Sequence, residues 1–245
     1  MGESLNIPDN LFVKAVRQFW RIREKQSRTQ KLEGKSDQGS RSAVTGGKQM
    51  DGFARELIEL LVSCGLPREA IFTSSKVALP GYFRPTKEWD MIVVLRGRLI
   101  AAVELKSHIG PSFGNNFNNR TEEALGSAVD VWTAFREKAF IDSNQPWLGY
   151  LLLLEDEIKS REPVRVKEPH FKVFQEFKGS SYAKRYEIFC RRLVLERHYS
   201  SACLLFSSKD RIRMTPNYTE PSQDIGVKQF VRGLVKHVTS DLTDP

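Results

Sequence analysis

The chain has 245 residues, 40% of them hydrophobic, which is enough to bury one core and predicts a single domain over residues 1–245. Its net charge of +8 favours a polyanionic partner such as nucleic acid. The three cysteines are far apart and show no CxxC spacing, which argues against a disulfide framework and a zinc site. No stretch approaches the ~20 apolar residues of a membrane helix or resembles a signal peptide, so a cytoplasmic protein without membrane contact is expected.

The first part of the chain predicts two amphipathic helices separated by a polar tract. Apolar residues recur at helical spacing over residues 10–23 and again over 51–64, where Gly65 is placed to end the helix. Residues 25–50 lack this period and are rich in Ser, Gly, Gln and Lys, which predicts a mobile basic loop. Two interpretations are open: a solvated linker, or an arm that becomes ordered on DNA and includes Lys48. Glu56 flanks the apolar stripe of the second helix and either faces solvent or adds a carboxylate to a site.

A β-hairpin carries the charged residues that stand out in this sequence. Residues 70–79 predict one strand, and the segments EWDMIVVL and LIAAVELK predict two more, joined by a three-residue loop around Gly97. In a hairpin symmetric about Gly97 the paired positions sum to 194, so Asp90 faces Glu104. Lys106 shares a face with Glu104 because strand side chains alternate. The pattern therefore predicts two carboxylates and an ammonium group on one patch.

These charges need partners, since burying an unpaired carboxylate in an apolar strand is costly. Two close carboxylates repel each other, and Mg²⁺, which prefers oxygen ligands, relieves that repulsion. A metal there could polarise a phosphodiester, while Lys106 orients a water or balances charge on the phosphorus. The alternative is a salt-bridged trio on an exposed sheet face, which the continuous hydrophobicity of both strands disfavours. We therefore predict Asp90 and Glu104 as Mg²⁺ ligands and, together with Lys106, as catalytic residues.

The rest of the chain alternates helices and strands. We expect a helix over about 120–140 with Asn119 as its N-cap, a strand over 148–154, a helix over 182–198, a strand over 202–208, and a helix over 225–239 capped by Asp224. The strand that holds Glu104, the following helix and the strand over 148–154 form a βαβ unit. The predicted fold class is α/β, with a mixed central β-sheet flanked by α-helices.

Several polar side chains follow the predicted strands and are candidates for DNA contact, because Asn recognises adenine and Arg or Lys recognises guanine. They are His108, Asn115, Asn116, Asn118, Asn119, Arg120, Lys209, Arg211 and Arg213. The asparagines could instead shape turns in the segment 110–120, as Asn often does in loops. His108 could equally be an ordinary histidine at the end of a strand.

The order of elements over residues 51–154 resembles the core of the PD-(D/E)xK nucleases, with Trp89 where that motif has proline. The run VELKSHIGPSFGNNFNNRTEEALGSAVDVW, with nearly the whole chain around it, resembles the XhoI family of type II restriction endonucleases. The resemblance implies a restriction-endonuclease-like core and a homodimer from a prokaryotic host. It also implies Mg²⁺-dependent cleavage of double-stranded DNA at CTCGAG with 5′ overhangs, and it assigns catalysis to Asp90, Glu104 and Lys106.

Two alternatives are also compatible with the sequence. A junction resolvase or repair nuclease could share the core, although such enzymes are often smaller and lack about 90 residues after the second strand of the βαβ unit. A non-catalytic DNA-binding protein is the other, although such a protein has no need for two costly carboxylates in apolar strands. Digestion of plasmid DNA separates these possibilities, because discrete fragments, structure-selective nicking and a shift without cutting are different outcomes.

Overall fold

The computed structural model describes residues 7–32 and 47–243, which form a mixed β-sheet between two layers of helices. The helices are α1 (Val13–Leu32), α2 (Gly47–Ser63), α3 (Phe113–Arg136), α4 (Ile158–Arg161), α5 (Tyr182–Leu195) and α6 (Val227–Thr243). The strands are β1 (Ile71–Phe72), β2 (Ala78–Pro80), β3 (Thr86–Glu88), β4 (Met91–Leu95), β5 (Arg98–His108), β6 (Trp147–Glu155) and β7 (Ser201–Ser207). No helix among the described residues has the length and apolar character needed to cross a membrane.

The central sheet has the strand order β1-β4-β5-β6-β7. Strands β1, β4 and β5 are antiparallel neighbours, whereas β5, β6 and β7 run parallel. Strands β2 and β3 form a separate antiparallel hairpin. β5, α3 and β6 make the predicted βαβ unit, because helix α3 lies between two parallel neighbouring strands. The predicted α/β class with a mixed sheet flanked by helices is confirmed.

Strand β6 shows how the sheet separates two cores. Leu151 and Leu153 pack in the core that contains residues of α1, α2 and α6. Leu148 and Leu152 pack in the core that contains residues of α3 and α5. This period of two places both faces of the strand against helices, as expected for a buried parallel strand. By the same alternation in β5, the side chain of Glu104 faces the same side of the sheet as that of Ala102, which lies in the core formed with α3 and α5.

The β4–β5 hairpin has the predicted register at the site but a different turn. Met91 pairs with Val103 and Val93 with Ala101, so these positions sum to 194. The loop has two residues, not three, since Leu95 already pairs with Arg98. Arg96 and Gly97 have φ values of 52° and 78°, which suit a tight hairpin turn. The register then shifts by one residue between Val93 and Val94, and this bulge restores the symmetric register toward Asp90.

The prediction that residues 25–50 lack regular structure is wrong at both ends of the tract. Helix α1 continues to Leu32 and α2 already begins at Gly47. Polar contacts, which leave no hydrophobic period, accompany these helical ends: Arg28 pairs with Glu24 at 2.8 Å, and Gln49 donates to Gln26 at 2.7 Å. Residues 33–46 of the tract lie outside the described residues.

Three other predicted boundaries are also wrong, each for a local reason. The strand over 70–79 splits into β1 and β2 because Ser74 and Lys76 have positive φ values of 61° and 56°. Helix α3 begins at Phe113 with Ser112 as N-cap, so Asn119 lies within the helix. Asp224 does not cap α6; it pairs with Arg191 at 2.7 Å. The first backbone N–H of α6 instead donates to the carboxylate of Glu220 at 3.2 Å.

The early start of α3 follows from aromatic packing rather than from a capping side chain. Phe113 and Phe117 are four residues apart and therefore share a face of the helix. The ring of Phe113 lies 5.8 Å from Tyr182, and the ring of Phe117 lies 5.0 Å from Tyr186. These contacts dock the first turns of α3 on α5, so the segment 110–120 is mostly helix rather than loop.

Candidate active site

The β4–β5 hairpin brings Asp90, Glu104 and Lys106 together. Lys106 Nζ lies 3.3 Å from Asp90 Oδ2 and 2.5 Å from Glu104 Oε2. The backbone N–H of Leu105 donates to Asp90 Oδ2 at 2.7 Å, which holds the end of β4 against β5. The Glu104 side chain is only 2% exposed, whereas those of Asp90 and Lys106 are 31% and 24% exposed. One buried carboxylate thus lies behind two groups that reach the surface.

A fourth residue, Lys87, belongs to this cluster and was not predicted. Lys87 Nζ pairs with Glu104 Oε1 and lies 4.3 Å from the centre of the Trp89 ring. Glu104 is therefore held between two ammonium groups. The available signal was alternation along the segment KEWD, which places Lys87 and Trp89 on one face just before Asp90.

The four charges influence one another strongly. Burial raises the pKa of Asp90 above its ordinary value, with a contribution from the charge of Glu104, and the attraction of Lys106 does not offset this. Burial also disfavours the charged form of Glu104, but Lys106 and Lys87 hold the pKa of this carboxyl below its ordinary value. Glu104 is therefore the fixed anion of the cluster, and Asp90 is the carboxylate whose charge its partners offset only in part.

The two lysines differ in the same way. Burial opposes the charge of Lys106, yet Glu104 and Asp90 together raise the pKa of this group above its ordinary value. Burial lowers the pKa of Lys87, and the pairing with Glu104 only partly offsets it. Lys106 is consequently a permanent cation in this arrangement, and Lys87 is the lysine that loses its proton more readily.

Two cavities border the cluster, and Glu88 of strand β3 lines both of them. The α2 cavity, about 950 Å³, is lined by Asp90, Trp89 and one face of α2. The α3 cavity, about 400 Å³, is lined by Glu104 and Lys106, by Lys87 on β3, and by Arg120 on α3. Because Asp90 borders one cavity and Glu104 the other, the charged cluster can be approached from either side.

The sequence model of the restriction endonuclease XhoI matches residues 29–219, which is most of the chain. The chain belongs to the XhoI restriction endonuclease family. It is 59% identical over 210 residues to the type II restriction enzyme BstVI of Geobacillus stearothermophilus, covering 84% of this chain and 93% of that protein. It is 48% identical over 190 residues to the type II restriction enzyme XhoI of Xanthomonas vasicola, covering 77% and 76%. The type II restriction enzyme AbrI of Azospirillum brasilense is 49% identical over 160 residues, covering 65% and 72%.

No solved structure matches the chain. The predicted family is confirmed, and with it the class of enzyme, since type II restriction enzymes are site-specific deoxyribonucleases. Enzymes of this class act on double-stranded DNA and generally depend on a divalent metal.

The donor set of this XhoI-family site suits a hard divalent cation. Asp90 supplies a partly exposed oxygen, and Glu104 Oε2 is buried without a hydrogen bond, its contact with Lys106 being ionic. Among the described residues no group of three or more His, Cys, Asp and Glu side chains could hold a metal. Two carboxylates are nevertheless what Mg²⁺ uses when water and phosphate oxygens complete its coordination.

Glu56 of α2 was predicted either to face solvent or to add a carboxylate to the site. Glu56 does not line the α2 cavity; its charge is influenced by Glu59, Lys14 and Arg55, and burial raises its pKa above the ordinary value. The carboxylates that do line this cavity from α2 are Asp51 and Glu59. At 3.6 residues per turn, Glu56 lies about 140° around the helix from Asp51 and about 60° from Glu59, beyond the edge of the face that lines the cavity.

The predicted DNA contacts divide into accessible and buried side chains. Asn115, Asn118 and Asn119 are exposed, and Asn116 and Arg120 partly so, all on the first two turns of α3. The alternative that these asparagines shape turns does not hold in a helix. His108 is buried at the end of β5, with Nδ1 2.6 Å from the Tyr186 hydroxyl. Burial and Arg120 lower the pKa of His108 to about 4, so it is a neutral core histidine at pH 7.

The remaining basic candidates lie at the α2 cavity and at one edge of the central sheet. Lys48 is exposed and lines the α2 cavity. Lys209, Arg211 and Arg213 belong to a short 3₁₀ helix, Lys209–Arg213, directly after β7. Since β5, β6 and β7 are parallel, this helix lies at the edge of the sheet where β5 ends, the end that carries Lys106. Lys209 is 3.8 Å from Glu24 of α1, which also reaches this edge.

Proposed function

We propose that this enzyme cuts double-stranded DNA at the palindrome CTCGAG, leaving 5′ overhangs, with Mg²⁺ as cofactor and Asp90, Glu104 and Lys106 as a PD-(D/E)xK catalytic centre. The observation that carries the proposal is the convergence of two carboxylates on one ammonium group, at 3.3 and 2.5 Å, between two cavities. The target sequence and the 5′ overhangs are proposed from the resemblance to the XhoI family. The same resemblance supports a cytoplasmic location in a prokaryotic host.

Asp90 and Glu104 would hold the ion, which supplies stabilisation of the charge that develops on the phosphate. Asp90 is suited to this role because burial and the charge of Glu104 raise its pKa, so its charged form would gain from a further cation. Glu104 is kept ionised by Lys87 and Lys106 and is locked in place by burial. The protein thus presents both oxygens in a fixed geometry before the substrate arrives.

Lys106 acts in this proposal as a hydrogen-bond donor and a cation rather than as a base. Its pKa is raised by the two carboxylates, so the group keeps its proton at neutral pH. Its side chain is 24% exposed and lines the α3 cavity, where a phosphate oxygen or the attacking water can accept a hydrogen bond. A fixed cation there offsets negative charge on the pentacoordinate phosphorus.

We further propose that the exposed face of α3 and the edge beyond β7 contact DNA. Arg120 lines the α3 cavity together with Glu104 and Lys106, so α3 borders the reactive centre. Asn115 and Asn119, which precede Arg120 on the same two turns, have the chemistry to recognise adenine. Lys48, Lys209, Arg211 and Arg213 have the charge to contact phosphates. His108 is left out of this proposal because it is buried.

A homodimer completes the proposal. One Asp90–Glu104–Lys106 centre cuts one strand, and a palindrome presents the same half-site twice, so a two-fold arrangement of two chains matches the substrate. The homodimer rests on this symmetry argument and on the family resemblance.

The test is digestion of a plasmid that carries one CTCGAG site, beside the same plasmid with that site changed at one base pair. We expect a linear product with 5′ overhangs from the first plasmid only, in the presence of Mg²⁺. Asp90→Ala and Glu104→Ala should bind the site without cutting it. Nicking at branched DNA irrespective of sequence would favour a resolvase, and a shift of the DNA without any cutting by the unaltered enzyme would favour a non-catalytic binding protein.

A further inference from the structure

The tip of the β2–β3 hairpin exposes two aromatic rings beside the candidate active site. Tyr82 and Phe83 are 56% and 69% exposed, and their ring centroids lie 5.0 Å apart at an angle of 82°. They follow Gly81 in the turn that joins β2 to β3. Two adjacent exposed aromatic residues form an apolar surface that water solvates poorly, and such surfaces commonly mark sites of interaction.

A buried carboxylate on α3 holds this tip in place. Asp130 Oδ1 accepts hydrogen bonds from the backbone N–H groups of Tyr82 at 2.7 Å and Phe83 at 2.9 Å. Asp130 Oδ2 accepts one from Arg84 Nε at 2.6 Å. Burial alone would raise the pKa of Asp130, but these donors together hold it below its ordinary value, so the carboxylate stays charged. The backbone of the tip is fixed while its rings remain in water.

Gly81 allows the close approach of Asp130 to the tip of the hairpin, on which the hydrogen bonds to Tyr82, Phe83 and Arg84 depend. A Cβ atom at Gly81 would lie 2.6 Å from Asp130 Oδ2 and 2.7 Å from the carbonyl oxygen of Arg84. Glycine is therefore the residue that fits between the carboxylate of Asp130 and the carbonyl group of Arg84. The hydrogen bonds to Asp130 fix the backbone that carries the rings before a partner binds, and tyrosine and phenylalanine lose little side-chain entropy when they make contacts.

The same hairpin forms a wall of the α3 cavity. Arg84, Lys87 and Glu88 line that cavity together with Glu104 and Lys106, and Lys87 pairs directly with Glu104. The four steps from Phe83 to Lys87 span at most about 13 Å of extended chain. The major groove of B-DNA alone is about 12 Å wide, so a duplex with a phosphate at the charged cluster would also cover the tip.

We infer that the rings of Tyr82 and Phe83 contact the bases of the bound duplex and supply a non-electrostatic part of its binding energy. The inference rests on the proposed function, since it takes double-stranded DNA as the occupant. DNA is favoured over a second copy of this chain because a protein seated on the tip would cover the mouth of the α3 cavity, which the substrate needs. Side chains with apolar rings contact bases either at the thymine methyl group or at an opened base step.

The experiment measures equilibrium binding of a CTCGAG duplex in Ca²⁺, over a series of salt concentrations, for the unaltered enzyme, Phe83→Ala and Tyr82→Ala/Phe83→Ala. We expect Phe83→Ala to weaken binding about tenfold and the double variant to weaken it more, as for the loss of aromatic contacts to bases. The slope of log affinity against log salt should not change, because an aromatic ring releases no counterions. Lys48→Ala is the opposite control, expected to flatten the slope.

Phe171→Ala is the matched control, since Phe171 is 87% exposed and lines neither cavity. Phe171→Ala should bind the duplex like the unaltered enzyme. Phe83→Tyr, which keeps an aromatic ring at position 83, should also bind like the unaltered enzyme, unlike Phe83→Ala. Because Phe83 is exposed, its replacement by alanine should leave the melting temperature unchanged. If the melting temperature of Phe83→Ala falls, the affinity of Phe83→Tyr still shows whether an aromatic ring at this position is needed for binding.

Unchanged affinity of the double variant would overturn the inference. So would a loss of self-association in sedimentation that accounts for the weaker binding, since the tip would then contact a second chain. Cleavage of the CTCGAG plasmid by the unaltered enzyme is followed separately. If that enzyme cuts while the double variant binds normally, the inference alone fails; if it neither cuts nor binds this site, the proposed function fails with it.

Discussion

Replacing Glu104 by glutamine is the most informative single change, because it keeps the shape of the side chain and removes its charge. In the folded protein Glu104 is buried and is paired with both Lys87 and Lys106. After the change Lys106 keeps Asp90 as a partner at 3.3 Å, whereas the carboxylate partner of Lys87 in the site is gone. Removing one partner of a buried ion pair costs about 3 kcal/mol or more, and we expect a loss of this size in the free energy of unfolding.

The dependence of this loss on pH follows from the pKa of Glu104. Since Lys106 and Lys87 hold that pKa below its unfolded value, ionised Glu104 contributes stability that is fully present above about pH 4.3. That contribution disappears as the pH falls through the lowered folded pKa. The difference in unfolding free energy between the two proteins, measured by urea denaturation, should therefore be large at pH 7 and should shrink below about pH 4.

The effect on cleavage should be larger than the effect on stability. A metal ligand that stabilises the transition state by about 4 kcal/mol accounts for roughly a thousandfold in rate. The assay is single-turnover cleavage of a duplex with one CTCGAG site, at saturating enzyme and at a temperature where both proteins are folded. Binding of the same duplex in Ca²⁺ should be retained, since negative charge near the phosphate has been removed.

Glu88→Gln is the control for this experiment. Glu88 is exposed and borders both cavities, yet it has no ion pair with Lys87 or Lys106 in the structure. It should cut within a few-fold of the unaltered rate. Cleavage by Glu104→Gln at an unaltered rate would refute the role of Glu104 as a metal ligand, and an equal loss in Glu88→Gln would show that the assay reports only the total charge of the cavities.

Three further outcomes are expected. Lys87→Met should raise the pKa of Glu104 and so move the acidic limb of the cleavage pH profile to higher pH, with Lys87→Arg restoring it in part; an unmoved limb would mean that Lys87 does not tune Glu104. Sedimentation with cognate duplex should show two chains per duplex, and a monomer both free and on DNA would contradict the dimer. Trypsin should cut between Leu32 and Gly47 in the free protein and not in the DNA complex in Ca²⁺, as the basic composition of this stretch predicts; equal resistance in both states would count against a DNA-ordered arm.

The sequence predicted the sheet and the meeting of Asp90 with Glu104 because strand alternation and hairpin pairing are local rules. It did not predict that Lys87 pairs with Glu104, since that contact joins residues 17 positions apart through the fold of a second hairpin. The start of α3 was missed because aromatic contacts with α5, more than 60 residues away along the chain, override the weak helix propensity of asparagine. The extension of α1 was missed because polar contacts leave no hydrophobic period. The predictions thus failed where distant packing decides the local structure, and where polar rather than apolar residues form the helix.

The compensation between the two-residue turn and the bulge in the β4–β5 hairpin limits how this enzyme family can change over evolution. Deleting one residue between Asp90 and Glu104, without a matching change elsewhere, would rotate Glu104 from the α3 side of the sheet into the opposite core. Inserting or deleting two residues would leave Glu104 on the same face of the sheet and would change only the length of the β4–β5 hairpin. Relatives that keep a working centre should therefore differ in this interval by even numbers, or carry a shifted bulge as a second, compensating mutation.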